Sequence, residues 1–592
     1  MFKLAKYLLP YSAPLALTLL LLLGQALAEL FLPTLMADIV NNGVVYSVLN
    51  QTSRTYYIIQ VGGLMLIIAF TAGLASIGST YIAQRISAGA ARNLRRDLFA
   101  KVESFSQSEF DKFSSASLIT RCTNDVGQVQ NLVNISARML VYAPILGIGG
   151  VIMAMTRSVR MSWIIALAVV VLVCLVILIT SIVMPKFKIL QEMVDKLNKI
   201  SREILHGLMV IRAFSTQKHE KKRFDGINAD LRDMNLFVQR VMAIVGPLIT
   251  FIMAGTQLLV IWVGAYNIAH MGLPIGDMMA FMQYAVQVIF SFMMVSMVLV
   301  MVPRAQVSAT RIAEVLDTKL TINDPSTPES FTAHAEKTAN SHKGIVAFEN
   351  VHFRYPAAEE DVLEGISFTA KPGQTTAIIG PTGSGKSTLA ALLLRFYDVS
   401  QGSITIDGLD IRNVRQTDLR DKIGFVPQKG QLLTGTIASN IRYGNLEATD
   451  EEIQTIAAVA QATDFIQERD DKYEAEIAQG GGNVSGGQRQ RLSIARALAK
   501  NPEIIVFDDS FSALDFATDA KLRRALKEHT ANATVIVIAQ RIGTIMHAEQ
   551  IIVLDKGKIA GRGTHEELLK SCPAYHEIAS SQDALNESGV AS

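Results

Sequence analysis

Gly380-Pro381-Thr382-Gly383-Ser384-Gly385-Lys386-Ser387-Thr388 has the spacing G-x-x-x-x-G-K-S of a phosphate-binding loop. The apolar run Thr375-Thr376-Ala377-Ile378-Ile379 before it predicts a buried strand, and Thr388–Leu394 after it predicts a helix. That strand–loop–helix context is the one the spacing requires. The glycines free backbone N–H groups to surround phosphate oxygens, and the helix N-terminus adds a partial positive charge. Lys386 would reach the β- and γ-phosphates, and Ser387 would ligate Mg²⁺. Read alone, the stretch predicts a bound nucleoside triphosphate.

The surrounding chain is too apolar for an ordinary soluble protein. Of its 592 residues 50% are hydrophobic and 18% charged, with mean hydropathy +0.29. The formal net charge of +2 gives no argument for a nucleic-acid partner. Cys122, Cys174 and Cys572 are far apart, which argues against a disulfide framework or a zinc site. The apolar run behind the amphipathic Phe2–Leu9 is too long for a cleavable signal peptide.

Six segments near Ala13–Val40, Tyr57–Ala83, Val133–Met155, Met161–Met184, Val241–His270 and Ile275–Val302 are long and apolar enough to span a bilayer. The connections after the first, third and fifth are short and poor in Lys and Arg. Those after the second and fourth are long and basic, carrying among others Arg85, Arg92, Lys101, Lys186, Lys199 and Arg223. The positive-inside rule then puts both termini and both long stretches in the cytoplasm. Each stretch is rich in helix formers and would continue its spans roughly 35 Å beyond the membrane at 1.5 Å per residue. The turns fall near Phe110–Asp125 and Gly207–Phe214, where they would meet a cytoplasmic motor or stand as solvated hairpins.

Within the spans, Gln25 and Glu29 lie one turn apart on one face, and Gln257, Asn267, Gln283 and Gln287 are further polar positions. An ionisable group at this depth is costly, so Glu29 would line a cavity, contact a cation or bond between helices. Met278, Met279, Met282, Met293, Met294, Met297 and Met301 in the sixth span fit either an adaptable apolar surface or ordinary packing. Apolar density falls between Arg311 and Gly344, across Asn323–Pro328 and the polar Lys337–Lys343. The expected division is a membrane domain over 1–312, a linker over 313–344 and a nucleotide-binding domain over 345–592.

Residues from 345 onward alternate short apolar runs with helical ones, as in an α/β sheet domain. Tyr355 precedes the phosphate loop and could stack on adenine. Gln428 could reach Mg²⁺ or the attacking water. Ser485-Gly486-Gly487-Gln488 opens a second helix, here taken as Arg489–Lys500, with another phosphate-binding N-terminus. Ile504–Asp508 is a buried strand ending in a carboxylate suited to Mg²⁺, followed by Asp509 and by Ser512–Asp515; a later strand ends at Ala539-Gln540.

In order and spacing, these residues resemble an ATP-binding cassette (ABC) domain. The whole chain resembles an exporter half-transporter: an all-α six-helix transmembrane domain with long cytoplasmic helix extensions, then an α/β P-loop ATPase domain. Phe110–Val126 resembles the family's first coupling loop, and Val210–Phe224 the second. The resemblance implies ATP and Mg²⁺ as cofactors, with Tyr355, the phosphate-loop residues, Gln428 and Ser485–Gln488 at the nucleotide and Ser387, Gln428 and Asp508 at the metal. It also implies a dimer in which each chain's Ser-Gly-Gly-Gln closes over the other's phosphate loop, driving the membrane halves from inward- to outward-open.

Two positions depart from the family pattern. Where the family usually has Glu as general base, this chain has Asp509, one methylene shorter. Where it usually has His contacting the γ-phosphate, this chain has Gln540, which carries no charge. Smaller departures are Val484 in place of Leu, and Gln479-Gly480-Gly481 in place of a Glu-bearing segment. With the rest of the site retained, the pattern predicts a chain that binds Mg·ATP, hydrolyses it weakly and completes a competent site on a different partner. The expectation is one subunit of a heterodimeric multidrug-type exporter of amphipathic substrates in a bacterial cytoplasmic membrane. A homodimer, a lipid or lipopeptide flippase, and an ATP-gated channel or regulatory subunit are the alternatives.

Overall fold

The computed structural model describes residues 2–45, 51–338, 343–356 and 358–588. Part of the polar run Lys337–Lys343 therefore lies outside the described residues. The chain forms two compact units. One comprises Met1–Glu103 and Ser115–Thr318, the other Ser104–Ser114 and Lys319–Ser592.

The first unit is helical. Six stretches of 42 to 55 residues have the length and composition to cross a membrane: Leu4–Val45, Ser53–Glu103, Ser115–Arg157, Val159–His206, Gln217–Met271 and Ile275–Asp317. At 1.5 Å per residue each is roughly twice the ~30 Å hydrocarbon thickness, so every span continues as helix beyond it. Small residues on the third span let its neighbours approach. Ala143, Gly150 and Ala154 are buried, and a Cβ on Gly150 would lie 2.9 Å from Val288 Cγ2. Met278 and Met282 join this packing, with Met278 against Gly264 and Met161. Glu29 is bonded between helices: it accepts from Gln25 Nε2 at 3.0 Å and from the Tyr142 hydroxyl of the third span.

At one end of this unit the helix termini form an ion cluster. Arg157, the last residue of the third helix, bonds Asp277 Oδ1 at 2.8 Å, and Asp277 lies in the first turn of the sixth. Each charge complements the macrodipole of its own helix. Asn41 bridges them to the first span, donating to Asp277 Oδ1 at 3.3 Å and accepting the Gly276 N–H at 2.7 Å. Position 276 admits only glycine, because a Cβ would press on Ala37 Cα at 2.9 Å and Asn41 Oδ1 at 2.7 Å. Both charged side chains are mostly buried. Arg157→Gln will therefore cost about 1–3 kcal/mol by stranding a carboxylate. The measurement is a thermal midpoint in nanodiscs, with partial recovery in Arg157→Gln/Asp277→Asn; an unchanged midpoint in the single variant contradicts the account.

The second unit is an α/β domain. Its main sheet runs in the order Lys558–Gly563, Gln550–Asp555, Thr375–Ile379, Thr534–Ile538, Ile504–Asp508, Ile423–Val426. All strands are parallel except the Lys558–Gly563 edge. The central strands read as continuous Val/Ile runs because both faces are covered. A four-stranded antiparallel sheet, Leu363–Ala370, Val346–Phe353, Gln401–Ile406 and Leu409–Asp410, supplies the second layer.

Ser104–Ser114 belongs to this unit. Its helix Gln107–Phe113 is capped by Glu109, which accepts the Ser106 N–H at 2.7 Å and the Thr321 N–H at 2.9 Å. Phe105 stacks on Phe113 at 5.8 Å. Asp111 accepts a 2.8 Å hydrogen bond from the Tyr397 hydroxyl. The turn near Phe110 thus does meet the ATPase fold. The other turn, helix Leu208–Ala213, presents exposed Met209, Val210 and Phe214.

Candidate nucleotide-binding site

Parallel strands point their C-terminal ends one way, and the candidate residues collect there. Thr375–Ile379 delivers the phosphate loop, and Lys386 begins the helix Lys386–Leu393. Gly383 and Gly385 have φ of +84° and +95°, and a Cβ on Gly385 would meet Leu363 Cδ2 at 2.6 Å, so glycine is required there. Lys386 is buried and its Nζ donates to the carbonyls of Gly380 and Pro381, each at 2.8 Å. Burial pushes its pKa down, while Asp509 and Asp508 oppose that shift. Ser384 Oγ is buried with no hydrogen-bond partner among the described residues. An open donor inside a cradle of backbone N–H groups fits a phosphate.

Ile504–Asp508 is wholly buried and ends with Asp508 Oδ1 accepting from Ser387 Oγ at 2.9 Å. These two oxygens suit Mg²⁺, a hard ion that takes few protein ligands and completes its shell with phosphates and water. When bound, the ion would neutralise charge on the phosphates. Burial raises the Asp508 pKa above the ordinary carboxylate range, with Asp509 adding to the effect and Ser387 and Lys386 opposing it. A proton on Asp508 competes with the cation, so Mg·ATP affinity will fall as pH drops through the raised pKa. For folding the sign is opposite. The raised pKa makes the nucleotide-free domain bind protons more tightly than the unfolded chain, so this group adds stability as pH drops through its folded pKa. Calorimetric titration over a series of falling pH values, with Asp508→Asn flattening the profile, is the check; a pH-independent affinity contradicts it.

Asp509 adopts a left-handed conformation, φ +46°, with its N–H on the Ile538 carbonyl at 2.8 Å. Its Oδ2 is held from two sides, by Gln428 Nε2 at 3.1 Å and Gln540 Nε2 at 3.0 Å. Burial raises its pKa; Gln428, Lys386 and Arg541 pull the other way. The three positions singled out for hydrolysis thus form one cluster.

Tyr355 lies beside the last residue of the phosphate loop. Its hydroxyl pairs with Thr388 Oγ1 at 3.0 Å, and its ring meets Phe353 and Tyr397 edge-on. Tyr397 and its acceptor Asp111 were not among the candidates. Burial, then the bond to Asp111, drives the Tyr397 pKa far up. Gln582 was also missed: it donates to the Gln540 carbonyl at 2.7 Å and accepts the Ile542 N–H at 2.7 Å. These partners are 286 and 42 residues apart in sequence, beyond any local motif.

The helix Gly486–Ala499 begins three residues before the expected Arg489, because Ser485 and Gln488 cap it reciprocally at 3.2 and 3.0 Å. A Cβ on Gly486 would meet nothing within 4 Å, so its surface is open. Gln490 ties this helix to the Gln428 loop by bonding Gly430 N–H and the Pro427 carbonyl, at 3.0 and 3.1 Å. Gln479-Gly480-Gly481 folds back on the same helix through Arg489 Nη1 to the Gly480 carbonyl, 3.1 Å.

Six long apolar helices ahead of a phosphate loop, a paired Ser–Asp oxygen set and a capped Ser-Gly-Gly-Gln helix define an exporter-type architecture on one chain. Residues 15–292 match the ABC transporter transmembrane region, and residues 363–512 match the ABC transporter family model. An uncharacterized ABC transporter ATP-binding protein of Mycobacterium tuberculosis is 40% identical over 98% of this chain and 97% of its own length. The chain belongs to the ABC transporter family, as a half-transporter in which a membrane domain is fused to an ATPase domain. A probable multidrug resistance ABC transporter ATP-binding/permease protein of Bacillus subtilis is 31% identical over 82% of this chain and 81% of that one. A bacterial Atm1-family ABC exporter, solved with ATP bound, superposes with TM-score 0.77 at 26% identity, covering 96% of this chain and 97% of the other.

Proposed function

We propose that this chain is the ATP-holding subunit of a heterodimeric exporter of amphipathic, drug-type compounds, with both termini in the cytoplasm. The observation that carries the reading is the clamp on Asp509. A general base must offer a free oxygen to water at about 2.6–3.2 Å. Here Oδ2 already accepts from two neutral amides, which leaves Oδ1 for a water, and the carboxylate sits on a shorter side chain than Glu. Gln540 supplies no positive charge to the transition state. Lys386, Ser387 and Asp508 retain the geometry for Mg·ATP.

The Ser485–Gln488 helix start keeps its cap, so it can complete the site of a partner bearing Glu and His. Exposed Met209, Val210 and Phe214 at a helical tip fit docking on a second subunit. The proposed boundaries remain 1–312, 313–344 and 345–592, although the sixth helix continues to Asp317.

The reading is tested by trapping labelled ATP on the assembled transporter. One equivalent should persist unhydrolysed through many turnovers, and Lys386→Ala should release it. Retention of none, or conversion of both equivalents at one rate, excludes a holding site.

A further inference from the structure

Asn134, Arg138 and Tyr142 recur at four-residue intervals along one face of the third span. None of them was among the polar positions picked out of the spans. Tyr142 donates to Glu29, which also accepts from Gln25, so two neutral donors already serve that carboxylate. One turn away, Arg138 makes no hydrogen bond or ion pair among the described residues, and its Nε is shielded from solvent. Asn134 Oδ1, a further turn along, is likewise shielded and unpartnered among the described residues.

Four arginines of this unit are paired: Arg95 with Gln130, Arg121 with Glu314, Arg157 with Asp277 and Arg223 with Glu203. Arg138 is half-buried, and an ionisable group on a spanning helix with no partner among the described residues marks a substrate or ion path. Roughly 28 Å of helix separates Arg138 from the Arg157–Asp277 cluster. The guanidinium fork matches a carboxylate or phosphate.

We propose that Arg138 is an anion-recognising subsite for the exported compound, an amphipath whose headgroup carries a carboxylate or phosphate. This rests on the exporter reading and narrows its substrate class. Tyr142, Glu29 and Gln25 bond to one another, and none of them pairs with Arg138 among the described residues. The same chemistry would come from a membrane lipid headgroup or from an acidic amphipath arriving from the aqueous phase.

The test uses the assembled transporter in phosphatidylcholine nanodiscs and two probes, a fluorescent-tagged long-chain fatty acid and its primary amide. Anisotropy is corrected with empty nanodiscs. The acid should bind at least about tenfold more tightly than the amide. Arg138→Gln should abolish that preference and leave amide binding unchanged, while Arg138→Lys should keep part of it.

Equal binding of both probes to the unsubstituted protein, or a preference that survives Arg138→Gln, overturns the subsite. Adding phosphatidylglycerol to the nanodiscs distinguishes the sources. Competition makes the ligand a bilayer lipid; its absence makes it the incoming amphipath, and the anion site stands in both. ATP-dependent uptake into inverted vesicles separates this inference from the exporter reading. Equal transport of acid and amide keeps export and sinks the subsite, whereas preferential acid binding without any ATP-dependent movement does the reverse.

Discussion

Gly486→Asp in the assembled transporter will lower steady-state ATP turnover by about 10²–10³-fold, while Asp509→Ala will lower it by no more than about threefold. The contrast follows from where each residue sits. Gly486 is the first residue of its helix, and a Cβ there meets nothing within 4 Å. An aspartate is accommodated without a clash, and as an acid in the first turn it favours the helix. Its carboxylate then occupies the surface that would receive the partner's γ-phosphate, turning attraction into repulsion. A thermal midpoint equal to that of the unsubstituted protein separates this loss from misfolding. On the proposed holding role, Asp509, whose Oδ2 accepts from Gln428 and Gln540, has little base function to lose. Comparable losses in the two variants would show that the chain's own site turns over.

The reverse experiment is a gain of function. Asp509→Glu with Gln540→His in this chain should raise its own ATP turnover by about 10²-fold, the lower range for a well-placed general base. The longer carboxylate extends past Gln428, and imidazole replaces the amide that now engages Asp509 Oδ2 at 3.0 Å. Each single substitution should yield much less, because Glu without His stays bonded to Gln540 and His without Glu has no base to orient. Gln582 holds the backbone at position 540 through its carbonyl, so the exchange of side chain should leave the strand end in place. Additive, near-unity effects of all three variants would mean that Asp509 and Gln540 do not limit hydrolysis.

Much of this site is legible along the chain because its parts are local. The strand Thr375–Ile379 has the bounds its apolar run predicts, and the phosphate loop and its helix follow from glycine placement and spacing. The helix at Ser485 was placed late only because its cap, rather than its apolar periodicity, sets the start. Hydropathy alone marks the six spans.

Contacts distant in sequence were not legible. Nothing near Gln582 announces that it braces position 540, and Asp111 meets Tyr397 only because Ser104–Ser114 folds with the ATPase unit. Arg138 was passed over for a different reason: hydropathy averages over a window, so a single cation among apolar neighbours disappears from it. Its lack of a partner emerges only when every neighbouring helix is in place.

The central claim is that this chain holds ATP and splits the partner's. The most direct measurement is steady-state ATPase activity of the purified chain alone and of the chain assembled with a half-transporter bearing Glu and His at the positions of Asp509 and Gln540. The account predicts low activity alone, a rise of about 10²-fold on assembly, and loss of that rise in Gly486→Asp. High activity of the chain alone would contradict it.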